Sequence, residues 1–317
     1  MTTQPEFVFA TEKFCRHLDE LAARERRETA PLQLAVLATM REFASRARFI
    51  RLGGIRHHAY EYGPVDGPAV MLLHGWDCSS YWFYRLAPAL GQHGFRVIAF
   101  DFRGHGFSDA DPQDDYTLPT LAQDTLRLAD LLGIQRFHLV SFSLGSAVAL
   151  LVGRLAPERV GRQVVMNFGL FDYSALRAQL LPPILKTIFD TLRRIPSKTL
   201  VYRYVSLTLA QREVTWFDVE MGFTSLVYCN SQAAFLAVTD LVRQERVAQV
   251  QQATGQAHPT LVITGEFDPV VPFADSLRLA QTIPVARLHI LLRTGHLVLF
   301  ERPDDIERLT AEWLAAD

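Results

Sequence analysis

The sequence predicts an α/β protein built on a mostly parallel sheet with helices on both faces. Three observations carry this. Apolar runs of strand length, "AVMLLHG", "FRVIAFDFRG", "RFHLVSFS" and "RQVVMNFG", recur with helical stretches such as Leu118 to Leu132 between them. A strand that is apolar at nearly every position is covered on both faces, as strands of a parallel sheet are. The same rhythm returns late, with "TLVITGEFD" and "ARLHILLRTGH" as strands and "FADSLRLAQTI" and "DDIERLTAEWLAA" as helices. Between these two blocks only helical periodicity appears, as in Leu176, Leu180, Ile184, Ile188 and Leu192, so a helical piece interrupts the sheet.

Residues 1–47 form a helical extension. Phe14, Leu18 and Leu21 fall on one helical face, Pro31 interrupts, and Val36, Met40, Phe43 and Ala47 repeat the pattern, with the charges of "RERRE" at an exposed helix end. Such a segment packs on its own domain, covers the cap entrance or pairs two subunits. The core runs over 48–168 and 259–317. It opens with "FIRLGGIRHHAYEYG", whose alternation around Gly53-Gly54 signals a hairpin. The insertion, 169–258, carries Tyr202, Tyr204, Trp216, Phe217, Phe223, Tyr228 and Phe235, most of them expected to form its own core. A helical cap between two parallel strands sits above their C-terminal ends, where open parallel sheets bind ligands, so some of these rings should face that crevice.

At 317 residues the chain can bury a full core, and a net charge of −2 with arginines scattered among acids offers no basic field for nucleic acid. A small molecule is the expected partner. Cys15, Cys78 and Cys229 lie far apart, and an odd count without metal-ligand spacing suits reduced, structural thiols. No run approaches the ~20 apolar residues of a membrane span, and "MTTQPEFVFATEKFC" lacks a basic leader, which makes the cytoplasm the default location. No cofactor and no metal is implied, because the scattered histidines and cysteines lack ligand spacing. A homodimer through the N-terminal segment or the cap is the assembly left open.

The chemistry concentrates at "SFSLG", residues 141–145, which differs from the nucleophile-elbow pattern G-x-S-x-G only at its first position and has a strand before it and a helix after. Ser143 is the central residue; Ser141 replaces the first glycine as a small residue, and Gly145 keeps the close-packing role. A serine hydroxyl needs a base to take its proton and a third group to orient that base. His296, after Gly295 and just beyond a strand, is the base. Asp268, just past the end of another strand, with Pro269 and Pro272 limiting the freedom of its loop, is the acid, with Glu266 and Asp172 as competitors. His57, His58, His138 and His289 lie in or beside strands and are read as structural. Backbone N–H groups of Leu144, at a helix N-terminus, and Trp76, after the turn at Gly75, would bind an oxyanion; their side chains should matter less.

Taken together, "HGW" at 74–76, "DFRGHGFSD" at 101–109, "SFSLG" at 141–145, "GEFDPVVP" at 265–272 and "GH" at 295–296 resemble the α/β-hydrolase fold superfamily from about Phe49 to the C-terminus. The order Ser, Asp, His is that superfamily's. The resemblance implies an eight-stranded, mostly parallel sheet with the helical cap after the sixth strand, and a bracing role for Asp101, Arg103 and His105. The N-terminal helices depart from the core fold.

A serine at the elbow suits acyl chemistry. Relatives that open epoxides or displace halide use a carboxylate there, whereas Ser143 would leave an ether with no carbonyl for water to attack. The leading expectation is therefore a serine hydrolase of a carboxylic ester or related acyl compound with an apolar portion, working through Ser143, Asp268 and His296 and a covalent acyl-enzyme. An acyltransferase or a carbon–carbon bond hydrolase would use the same three residues, and a receptor-like binding protein would keep the pocket with little turnover.

Overall fold

The computed structural model describes residues 8–171, 174–195 and 198–316. These residues form eight strands: β1 (Ala47–Leu52), β2 (Ile55–Tyr62), β3 (Ala69–Leu73), β4 (Arg96–Phe100), β5 (Phe137–Phe142), β6 (Val160–Met166), β7 (Thr260–Gly265) and β8 (Ala286–Leu291). They make one sheet in the order β1-β2-β4-β3-β5-β6-β7-β8. β2 runs antiparallel to β1 and β4, and every other neighbouring pair is parallel. Gly53 (φ 55°) and Gly54 (φ 89°) close the β1–β2 hairpin, the two positive φ values that a tight two-residue turn demands.

Helices α1 (Glu12–Glu25) and α2 (Pro31–Ser45) precede the sheet; α3 (Leu86–Gln92), α4 (Leu118–Leu131) and α5 (Leu144–Leu155) connect its first strands. All five residues of β3 are buried, and their alternation divides the core. Val70 and Leu72 join one cluster with Phe14, Phe43 and Leu90, while Met71 and Leu73 join the other with Leu121 and Val148. The extension thus packs on its own domain. Thr11 caps α1, accepting from Phe14 N–H and donating to Phe107 O at 3.0 Å, and Lys13 Nζ donates to Ser108 O at 2.9 Å.

Two details of the extension differ from expectation. Ala47 opens β1, paired with Tyr60, rather than closing a helix: the sheet's hydrogen bonds override a weak local preference. Leu18 is 38% exposed, and its neighbour His17 takes the inward place, its ring 4.8 Å from Phe107 and 5.4 Å from Tyr228. Pro31 marks the expected break between α1 and α2 and opens α2, since the first helical turn needs no N–H from that residue.

Between β6 and β7 lie α6 (Ala175–Arg194), α7 (Lys198–Thr208), α8 (Trp216–Tyr228), α9 (Ser231–Leu241) and α10 (Gln244–Ala253). The helical insertion therefore follows the sixth strand. Its last helix packs on α5, where Val250 and Ala253 join the core. The chain ends with α11 (Phe273–Thr282), the single turn α12 (Val298–Glu301) and α13 (Pro303–Ala315). Among the described residues no helix is long and apolar enough to cross a membrane.

Candidate active site

Ser143 joins β5 to α5 with φ 49° and ψ −122°, a positive-φ conformation that a non-glycine residue keeps only when its surroundings enforce it. They do so on both sides. Its N–H donates to Met166 O at 2.8 Å and its carbonyl accepts from Ser146 N–H at 2.8 Å. Gly145 lets α5 approach β3 closely: a Cβ there would lie 2.3 Å from Leu73 O and 2.5 Å from His74 O. The two serines of the motif are thereby told apart. The Ser141 hydroxyl donates to Val164 O at 3.0 Å inside the core, while that of Ser143 has no hydrogen-bond partner among the described residues.

The same close packing sets the first turn of α5 beside the loop after β3. The first N–H groups of a helix have no partner within it, and neither Leu144 N–H nor Trp76 N–H finds an acceptor among the described residues. The Trp76 side chain does more than expected. Its indole Nε1 donates to Ala234 O of α9 at 2.7 Å and its ring lies 6.0 Å from Phe189 of α6, so this loop is tied to the cap.

His296 Nδ1 lies 2.8 Å from Asp268 Oδ2, and the imidazole packs 5.2 Å from the ring of Phe142, the residue before Ser143. The imidazole therefore packs on the residue that precedes Ser143. Asp268 Oδ1 accepts from Val270 N–H (2.8 Å) and Val271 N–H (2.9 Å), and Oδ2 accepts from Asn167 Nδ2 (2.5 Å). Burial works to raise this carboxyl, but the His296 charge and these donors outweigh it and hold it below the usual carboxylate range. An ionised Asp268 keeps the proton on Nδ1, which leaves Nε2 as the basic nitrogen. Of the competing acids, Glu266 is engaged elsewhere, accepting from Arg293 N–H at 2.9 Å, and Asp172 lies outside the described residues.

Three residues that the sequence did not single out complete the surroundings. Asn167, at φ 47° past the end of β6, bridges Asp268 and Gly295 O (3.2 Å). Asn is among the few non-glycine residues that tolerate such a φ, which is the one clue the sequence offered. The buried Glu301 accepts from Gly295, Leu297, Gln211 and Arg212 N–H groups, locking the His296 loop to the segment before α8. Asp77, at φ 53°, lines a cavity of about 100 Å³ together with Trp82, Phe223, Leu297 and Phe300. Tyr204 and Phe223 are the cap rings that face this cavity.

Several of the residues read as structural make buried contacts. Asp101 accepts from Ser80 and Phe107 N–H groups, Arg103 grips Asp124 at 2.7 and 2.9 Å, and His105 Nδ1 lies 3.1 Å from Arg103 O. His138 Nδ1 accepts from Arg162 N–H. Among the described residues no three His, Cys, Asp or Glu side chains gather as a metal ligand set.

The sequence model of the α/β hydrolase fold matches residues 68–303. The chain belongs to that family. This α/β hydrolase is 28% identical over 275 residues to the 2-hydroxy-6-oxononadienedioate/2-hydroxy-6-oxononatrienedioate hydrolase of Comamonas testosteroni, across 83% of this chain and 93% of the relative. Its fold is similar to that of an esterase from Exiguobacterium antarcticum, with a TM-score of 0.73 at 19% identity over 84% of this chain and 99% of the other. It is also similar to the meta-cleavage product hydrolase of Pseudomonas fluorescens IP01, with a TM-score of 0.62 at 25% identity over 84% and 96%.

Proposed function

We propose that this α/β hydrolase cleaves short carboxylic esters through Ser143, His296 and Asp268. The observation that carries the reading is a positive-φ serine with an unengaged hydroxyl, directly after Phe142, whose ring packs on an imidazole already oriented by an aspartate. In this reading Ser143 Oγ attacks the acyl carbon while its proton passes to His296 Nε2, and the oxyanion takes N–H bonds from Leu144 and Trp76. The tetrahedral adduct collapses, the alcohol leaves with the proton from His296, and water repeats the sequence to release the acid and restore Ser143. Asp268 orients the imidazole and stabilises its charged form. In this reading the acyl group enters the cavity of about 100 Å³ lined by Asp77 and by Leu297, the neighbour of His296; a space of that size favours short chains, since pockets for larger ligands hold roughly 300–1,000 Å³.

The Comamonas relative favours a second reading, carbon–carbon bond hydrolysis on the same residues. Against it stands charge: a dioate carries two carboxylates, whereas the cavity lining holds Asp77 and Asp218 and, among the described residues, no Lys, Arg or His. Turnover of p-nitrophenyl acetate and butyrate separates the outcomes. The proposal expects Ser143→Ala to lose ~10³-fold or more of the wild-type rate; equal rates in the two proteins would refute it. Cleavage of a 2-hydroxy-6-oxo dienoate in preference to these esters would favour the second reading.

A further inference from the structure

Asp77 has no structural task that accounts for it. It follows Trp76, so it sits on the loop that supplies a proposed oxyanion donor, and it lines the same cavity as Leu297, the neighbour of His296. Its φ of 53° suits glycine better than aspartate. Around it the cavity is apolar, with Trp82, Val201, Phe223 and Phe300 in its wall. The other acid of that wall, Asp218, is fully engaged, accepting from Thr215 N–H (2.9 Å), Thr215 Oγ1–H (2.5 Å) and Tyr84 O–H (2.6 Å). Asp77 receives only the thiol of Cys78, a weak donor at 3.9 Å, and no cation. Burial pushes its carboxyl up to about 7. An acid held at a strained backbone position in an apolar cavity, without a partner of its own, is placed to meet a group that arrives with the substrate.

We propose that Asp77 determines specificity by receiving a hydrogen-bond-donating group of the substrate, a hydroxyl or an amine, and by excluding substrates that bring a carboxylate into the cavity. The proposal rests on the reading that Ser143 cleaves acyl compounds entering this cavity, but its test does not need turnover. Trp82 in the cavity wall allows tryptophan-fluorescence titration at pH 8 with butylammonium, butanol and butanoate. Wild type and Ser143→Ala should both bind butylammonium about tenfold or more tighter than butanoate, with butanol between them. Asp77→Asn, which tolerates the positive φ, should bring the two charged ligands within about threefold of each other. Asp77→Gly, which relieves the backbone, should do the same and covers the case in which Asp77→Asn fails to fold. An unchanged ratio in the folded variants, tighter binding of butanoate to wild type, or no binding of any of the three would overturn the proposal. A preserved ratio in a protein that hydrolyses no ester would sink the esterase reading alone.

Discussion

Among the described residues two buried histidine–aspartate pairs meet through Nδ1 within 3.0 Å, and one of them packs on Phe142, the residue before Ser143. His58 Nδ1 is 3.0 Å from Asp101 Oδ2, and His296 Nδ1 is 2.8 Å from Asp268 Oδ2. Each aspartate collects further donors: Ser80 N–H, Ser80 Oγ–H and Phe107 N–H at Asp101, Val270 N–H, Val271 N–H and Asn167 Nδ2 at Asp268. Both carboxyls are held low against the opposing effect of burial. What differs is the far side of the ring. His58 Nε2 is buried without a partner among the rings of Phe14, Tyr81 and Phe107, whereas His296 packs against Phe142, the residue before Ser143. Pair geometry alone therefore assigns no chemistry; in the proposed function the difference lies at the second nitrogen.

Variants at the two pairs should break apart in what they lose. His296→Ala and Ser143→Ala are expected to lower ester turnover ~10³-fold or more with little change in melting temperature. Asp101→Asn should do the reverse, costing ~3 kcal/mol or more because buried donors lose a charged acceptor, with turnover per folded molecule nearly unchanged. Melting curves and active-site titration on the same samples read both quantities, and a loss of turnover in Asp101→Asn at unchanged stability would erase the distinction. Asn167→Gly sharpens the catalytic side. It removes a donor from Asp268 while relieving the positive φ, so kcat should fall ~tenfold with KM little altered; steady-state kinetics with p-nitrophenyl butyrate checks this.

A further effect belongs to the structural side and appears in pH. Burial, followed by the charge of His58, brings His17 from 6.5 down to about 3 in the folded protein. Between those values the unfolded chain binds a proton that the folded chain does not, so stability rises with pH through that window, by up to ~1.4 kcal/mol per pH unit. His17→Phe should flatten the dependence of melting temperature between pH 4 and 6.5. An unaltered slope would place the acid sensitivity elsewhere.

The sheet and the elbow were legible because their signals are local. β3 is apolar at all five positions and β5 at four of its six, and Ser143 and Gly145 stand at a strand-to-helix junction whose spacing the backbone enforces. Asp268 could be preferred over Glu266 from its place before a proline-bounded loop. Less accessible were contacts between distant segments. Nothing near Asn167 announces that its side chain reaches Asp268, 101 residues on, and Glu301 reveals itself only when four N–H groups from two loops converge on it. Periodicity also finds a face without saying what covers it. Leu176, Leu180 and Ile184 keep the expected spacing on α6 yet are 64%, 49% and 52% exposed, while Phe189 is the large apolar residue that the helix buries.

Reaction with a fluorophosphonate, followed by intact mass and peptide mapping, tests the assignment of Ser143 most directly. One adduct per chain on the peptide carrying Ser143, absent from Ser143→Ala and formed ~10²-fold or more slowly in His296→Ala, is the expected result. Folded protein that takes up no phosphonate, or that is labelled equally well after Ser143→Ala, would contradict it.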